Sequence, residues 1–412
     1  MRLATILCLL LSGCANGGIG DVGPVGPPRG PFAMAPEIRV SEPPETWLYL
    51  ERDVILLGQT PHVDVRAEGG PRGYYNEIGD FDVIGPDGEP VVSPCALPQP
   101  SGSRGAGALN FSGKCLTNPG VYTVTFDPAR LSWPGESATA RVRVVDAPPA
   151  SVPPPNGWTA APLTSGIPRY QCYGYGESYE VLGNPLQLRA LRRRRGERRR
   201  IPEALLSRMS SEHAAGVQYV FSSGKGWLVL FNHGEFGGGI EWYSEEDEPP
   251  RAIAIGERDD EADYPVQNVN RAVAKHGALY VLQGLSHMVS SDGQLAKLWP
   301  EHDHFTSRVI ARYMSEPFDW IEESDGSWTI ATQGAIWNTT ESGTSALVAR
   351  LPPFFLYATS LLRAADGTIY IGARAGVLRL TPTWSEAPRF FAEFLMPTGS
   401  RQERCWRGEV PR

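Results

Sequence analysis

An all-β chain in two folded parts is what the sequence predicts, and three observations predict it. Between Glu37 and Ala147, short runs alternate apolar with polar residues, the period-2 pattern of strands with one buried face. Between about Pro168 and Arg412, a glycine heads a short apolar run five times, at Gly176, Gly226, Gly277, Gly326 and Gly367, spaced 50, 51, 49 and 41 residues apart. Between the two parts, Asp146 to Asn156 carries Pro148-Pro149 and Pro153-Pro154-Pro155, a stiff extended linker. Four antiparallel strands every 41–51 residues make one propeller blade, so the second part reads as a β-propeller of about five blades.

The chain begins with one charge, Arg2, then a nine-residue run from Leu3 to Leu11 that is apolar but for Thr5, well short of the ~20 that a spanning helix needs. These are the n-region and h-region of a secretory signal. The following Leu11-Ser12-Gly13-Cys14 resembles the lipobox of bacterial lipoproteins. The resemblance implies that residues 1–13 are removed, that Cys14 carries a thioether-linked diacylglycerol, and that a third acyl chain caps the new N-terminus. The partner it implies is a lipid bilayer. Ala15, where an aspartate would retain the protein at the inner membrane, implies the outer membrane. Residues 14–36, with Gly17-Gly18, Gly23-Pro24 and Gly26-Pro27-Pro28, read as a flexible tether.

Residues 37–147 supply strand runs at Pro61–Arg66, Phe81–Ile84, Gly120–Phe126 and Ala138–Val145, with Pro86-Asp87-Gly88 as a turn. About seven short strands in this length suit a β-sandwich. The run Asn118 to Val124 resembles the penultimate strand of immunoglobulin-like domains, which implies that Tyr122 packs at a sheet corner. Cys8 falls in the signal, leaving Cys95, Cys115, Cys172 and Cys405 beside the lipidated Cys14. An even number in an oxidising compartment suggests two disulfides. Of three pairings, Cys95–Cys115 with Cys172–Cys405 is favoured because each then joins parts of one domain.

Residues 148–167 form the linker and 168–412 the repeats. Two of the five glycines sit in Asp325-Gly326 and Asp366-Gly367, a strong hairpin signal. Leu361 to Leu380 resembles the propeller repeats of bacterial sensor ectodomains, best in the last copy and weakest in the first two.

The net charge of −8 argues against a nucleic-acid partner. No nucleophile elbow, P-loop, zincin or Rossmann pattern occurs, and Ser324-Asp325-Gly326-Ser327-Trp328 lacks the spacing of a sialidase Asp box, so no catalytic residue, cofactor or metal is assigned. The most unusual segment is Phe231 to Tyr243, in the hairpin between the second and third strands of the second repeat. Its three consecutive glycines allow close backbone approach. His233 and Glu235 are candidates for a proton-transfer pair, and Phe236 and Trp242 for stacking on a sugar or peptide; the alternative is a structural hairpin. Arg193 and Arg194 belong to a run of seven arginines within 192–200 that can dock on an acidic surface or guard a sheet edge. Glu301-His302-Asp303-His304 and the acidic 257–263 read as solvated loops. The expected role is non-catalytic binding of a protein or glycan at the cell envelope. The alternatives are a propeller-type glycan hydrolase or lyase, and a sensor or immunity protein.

Overall fold

Strands form where the alternation places them. The computed structural model describes residues 46–50, 53–58, 62–67, 81–91, 96–98, 107–111, 116–127, 129, 137–150, 152–163, 177–183, 185–191, 201–223, 225–234, 237–246, 248–255, 267–287, 290–301, 304–313, 315–351 and 358–408. The fold is all-β, in seven separate sheets among these residues. By contact density it falls into two units, one within Arg193–Arg312 and one joining Glu42–Arg192 to Tyr313–Arg412.

The second of these begins with β1 (Thr46–Leu50), β2 (Val54–Leu56), β3 (His62–Ala67), β4 (Phe81–Ile84), β5 (Ala96–Pro98), β6 (Gly107–Phe111), β7 (Gly120–Phe126) and β8 (Ala138–Val145). They make two four-stranded sheets, ordered β1-β3-β6-β5 and β2-β8-β7-β4. Eight strands stand where alternation suggested seven, because β2 and β5 have three residues each, too few to show a period. Alternate residues of β7 and β8 are buried, Tyr122, Val124 and Phe126 beside Ala140, Val142 and Val144. Burying each of the larger ones is worth roughly 1.5–3 kcal/mol. The Tyr122 hydroxyl donates to the Asn118 carbonyl at 3.0 Å and accepts from the Asn118 N–H at 3.1 Å, fixing the bend before β7.

The same unit continues with β9 (Trp158–Pro162), then β10 (Tyr179–Leu182) paired to β11 (Gln187–Ala190). After residue 313 come β20 (Pro317–Glu322), β21 (Trp328–Thr332), β22 (Ala335–Thr339) and β23 (Ser345–Arg350), then β24 (Ser360–Arg363), β25 (Ile369–Ala373), β26 (Gly376–Pro382) and β27 (Phe390–Pro397), and a C-terminal helix, Arg401–Trp406. Each set of four is an antiparallel meander in chain order. The two Asp-Gly pairs make their first turns: Gly326 and Gly367 have φ of 83° and 84°, and the preceding aspartates accept the N–H of Ser327 and Thr368 at 2.9 Å. Residues expected as linker supply β9, which pairs with β27 as a fifth strand, Pro162 opposite Glu393.

Two polar contacts tie these pieces together. The Arg379 guanidinium on β26 meets Glu393 Oε2 at 2.6 and 3.0 Å, both side chains 1 % exposed, and donates to the carbonyls of Val152 and Pro153 at 2.7 and 3.4 Å. Arg143 on β8 lies 4.8 Å over the Trp384 ring and donates to the Glu386 and Pro388 carbonyls at 3.2 and 3.4 Å, while Arg350 donates to Thr139 O at 3.3 Å. Asp53 lies in the field of both arginines, and its carbonyl accepts the Arg143 N–H at 2.8 Å.

The other unit holds α1 (Glu203–Leu206) and α2 (Ser211–Gly216), which the alternation did not foretell. They are followed by β12 (Val217–Ser222), β13 (Gly226–Asn232), β14 (Gly238–Ser244) and β15 (Arg251–Ala252), then β16 (Asn268–Lys275), β17 (Ala278–His287), β18 (Ser290–Glu301) and β19 (His304–Tyr313). Both quartets are again four-stranded antiparallel sheets in chain order. Leu228, Leu230 and Ile240 of one pack with Val269, Leu279, Val281, Ala296 and Leu298 of the next. Among the described residues, no helix is long and apolar enough to cross a membrane.

Candidate functional site

The β13–β14 hairpin turns through residues 233–237, of which Glu235 and Phe236 lie outside the described residues. The turn is held from several directions. The His233 N–H donates to Gly237 O at 2.8 Å and to Asn268 Oδ1 at 3.0 Å, and Gly234 N–H donates to Asn232 Oδ1 at 2.8 Å. Gly234, Gly237 and Gly239 have φ of 68°, 90° and 146°. At Gly238 a Cβ would fall 2.3 Å from Phe231 O and 2.9 Å from Asn268, so the glycine run is what lets β14 approach β16.

One face of the hairpin carries a proton-transfer arrangement. Ser210 caps α2, its hydroxyl accepting the His213 N–H at 3.1 Å. This turns His213 toward β14, where its Nε2 lies 3.2 Å from Glu241 Oε1. The other carboxylate oxygen accepts the Tyr243 hydroxyl at 2.8 Å. Burial first, then the bond and charge of Glu241, push the Tyr243 pKa up, so the phenol stays a donor. Arg208 lies 5.5 Å over the Tyr243 ring and donates to the carbonyls of Ser244 and Glu248. Phe231 meets His213 edge-on at 4.9 Å and stacks on His233 at 5.9 Å, bringing the two imidazole centroids to 5.9 Å. Gly216 makes room, since a Cβ there would fall 2.0–2.6 Å from the His233 ring. A carboxylate fixed by a tyrosine and bonded to a part-exposed imidazole is chemistry for moving a proton or for recognising a polar ligand.

The described carboxylate that faces a histidine beside this hairpin is Glu241. Alternation along β14 sets Glu241 and Tyr243 on one face and Trp242 on the other. Trp242 packs against Phe305 at 5.3 Å, in the apolar cluster between sheets, and does not join His213 and His233. The pairing of His213 with Glu241 spans 28 residues and depends on a short helix, so the sequence carried no local sign of it.

The opposite face is polar in another way. Asn232 Nδ2 donates to Asn270 Oδ1 at 2.6 Å, Gln294 Nε2 to Gln283 Oε1 at 3.3 Å, and Gln267 Nε2 to Asp292 Oδ1 at 3.2 Å. Asn270 falls at a bulge between Val269 and Arg271, a device that re-aims a side chain.

Cys14, Arg193, Arg194, Cys95, Cys115, Cys172 and the acidic 257–263 lie outside the described residues, as do His302 and Asp303. His304 is exposed, with Nε2 3.8 Å from Glu301 Oε2. Cys405 lies in the C-terminal helix, α3 (Arg401–Trp406). Among the described residues, no three His, Cys, Asp or Glu side chains gather as a metal site.

No protein-family model and no curated protein matches the chain. Among solved structures, it is similar to the extracellular domain of what is described as a one-component system from B. thetaiotaomicron, at 8 % identity and a TM-score of 0.26, over 40 % of this chain and 22 % of that one. It is also similar to PorZ, a surface component of the type-IX secretion system of Porphyromonas gingivalis, at 11 % identity and a TM-score of 0.26, over 84 % of this chain and 45 % of that one. A DUF4784 family protein from Bacteroides caccae aligns at 9 % identity and a TM-score of 0.17, over 87 % of this chain and 85 % of that one. The chain thus spans less than half the length of the first two, and likenesses this distant establish neither a shared fold nor a shared activity.

Proposed function

We propose that the chain is a lipid-anchored cell-envelope protein, in which an immunoglobulin-like sandwich carries a five-bladed propeller that binds a protein or glycan partner through the β13–β14 turn. The observation that carries the binding role is that turn. Its described residues His233 and Gly234 are fixed by Asn268 and Asn232, and the neighbouring His213 side chain is 45 % exposed. Backbone groups held in advance lose little entropy on binding.

The propeller reading is supported by the repeated four-stranded meanders, with the shorter β10–β11 pair as the degenerate first copy. The sandwich reading is supported by the Tyr122–Asn118 bonds, the arrangement of a tyrosine corner. Cys172 is the proposed disulfide partner of Cys405, and Cys95 that of Cys115. The outer-membrane anchor rests on the lipobox.

The test uses the full chain in detergent, screened against a printed oligosaccharide array and an envelope extract. His213→Ala with His233→Ala is expected to weaken the retained partner about tenfold or more, the loss of one or two hydrogen bonds. Unchanged retention rejects the turn as the site. Cys14→Ala is expected to move the chain from the membrane pellet to the soluble fraction, because two or three acyl chains are what holds it there. Continued sedimentation with membranes defeats the anchor.

A catalytic reading is favoured by the His213–Glu241 pair alone. It requires that Glu241→Gln abolish cleavage of a retained glycan while leaving its binding within a few-fold; a wild-type chain that leaves every retained glycan intact rejects it.

A further inference from the structure

Along the face shared by the two sheets of β12–β19, apolar residues give way to amides at one end. On β13 the order is Leu228, Leu230, Asn232; on β17 it is Leu279, Val281, Gln283, with buried Leu285 beyond it; on β18, read backwards, it is Leu298, Ala296, Gln294, Asp292. Register aligns these changes, since Gln283 stands opposite Gln294 and Val281 opposite Ala296. On β13–β14 the switch falls at the turn, and on β17–β18 four residue pairs before it. Asn268, Gln283 and Gln294 are buried, whereas Asn232, Gln267, Asn270 and Asp292 are half-buried around them.

Amides cost stability in such an interface unless each is bonded. Three side-chain pairs meet that need, Asn232 with Asn270, Gln283 with Gln294, and Gln267 with Asp292. The arrangement nevertheless leaves Gln267 Oε1 buried with no partner, so the set has spare acceptor capacity. The one charged side chain among these six is the Asp292 carboxylate, which repels an anionic ligand and accepts from a hydroxyl. A carboxamide presents a donor and an acceptor together, which matches a hydroxyl that must also do both.

Resting on the binding role of the β13–β14 turn, we infer that this amide-lined end of the β13–β18 face is a subsite for an uncharged saccharide, whose hydroxyls are read by Asn232, Asn270, Gln267 and Asp292. The glycine turn brings backbone close to the same place, and His233 borders it through its N–H bond to Asn268. The His213–Glu241 pair lies on the other face of β14, so substitutions separate the two.

The experiment compares three forms of the full chain in detergent on an array of neutral, uronate-containing and sulfated oligosaccharides. The forms are wild type, Gln267→Ala with Asn270→Ala, and Gln283→Met with Gln294→Leu; the last removes a bonded pair together and leaves no orphan. Thermal unfolding confirms that each is folded. Neutral oligosaccharides are expected to be retained by wild type and weakened about tenfold or more in at least the first variant, the loss of one or two hydrogen bonds. Retention of acidic glycans alone overturns the inference. So does neutral binding that both variants keep while His213→Ala with His233→Ala loses it, which leaves the turn standing as the site. Capture of an envelope protein through the turn with no oligosaccharide retained also overturns the subsite and spares the broader reading. A chain that retains nothing from array or extract overturns both.

Discussion

Arg379→Met is expected to lower the unfolding free energy by about 3–5 kcal/mol, because it strands the Glu393 carboxylate in a site where that side chain is 1 % exposed. The cost has a second part. Arg379 also holds the Val152 and Pro153 carbonyls, so the polyproline stretch loses its hold on β26. Glu393 Oε1 is already without a partner. The double variant Arg379→Met with Glu393→Leu is expected to recover most of the loss, since the buried pair is replaced by apolar groups of similar volume. Urea unfolding of the wild type, Arg379→Met, Glu393→Leu and the double variant closes the cycle. A single-variant loss below about 1 kcal/mol, typical of exposed pairs, would mean that the pair is solvated.

Asp53→Asn is expected to stabilise the chain at pH 8 and to do little at pH 4. Burial, opposed by the charges of Arg350 and Arg143, pushes the Asp53 carboxyl up to about 7. Unfolded, the group titrates at 3.8. The folded chain therefore holds a proton that the unfolded chain releases, and this contribution is fully present below pH 3.8 and lost as pH rises through 7. Three pKa units correspond to at most about 4 kcal/mol, and residual solvent access at Asp53 brings the expected difference nearer 2. Asparagine mimics the protonated acid at every pH. The difference in unfolding free energy between wild type and variant should therefore grow from pH 4 to 7 and then level. A difference independent of pH, or one favouring wild type at pH 8, defeats the assignment.

The sequence showed the fold more plainly than the site. Phe81–Ile84, Gly120–Phe126 and Ala138–Val145 are strands with the boundaries that alternation gives, because each has one buried face and turn residues at its ends. The glycine-headed repeats each lead into a strand, β10, β13, β17, β21 and β25. What period-2 reading could not show was anything depending on partners far along the chain. β9 reads as linker because its pairing with β27 is settled by register at the other end of the protein. The helices α1 and α2 have four and six residues, too short to reveal a helical period. The candidate site was half legible. Glycines and His233 marked the turn, but Glu241 looked like one of many strand glutamates until a capped helix brought His213 to it. The amide face was missed because asparagine and glutamine carry no spacing motif, and the switch from Leu and Val to amide is visible only once three strands are aligned.

The pairing of β9 with β27 also sets a timetable. Pro153 and its partner Arg379 are 226 residues apart, about 10–45 s of synthesis at ordinary ribosomal rates. The strands from Thr46 to Val145 find their partners among themselves and can close early. β9 emerges next and has no mate until Phe390–Pro397 has been made. For that interval the chain carries an unsatisfied strand edge next to a finished sheet, and any neighbouring nascent copy offers the same edge in return. The β24–β27 sheet gains its fifth strand only when β27 is made, so a chain truncated before Phe390 would keep its first eight strands and leave β9 without its β27 partner.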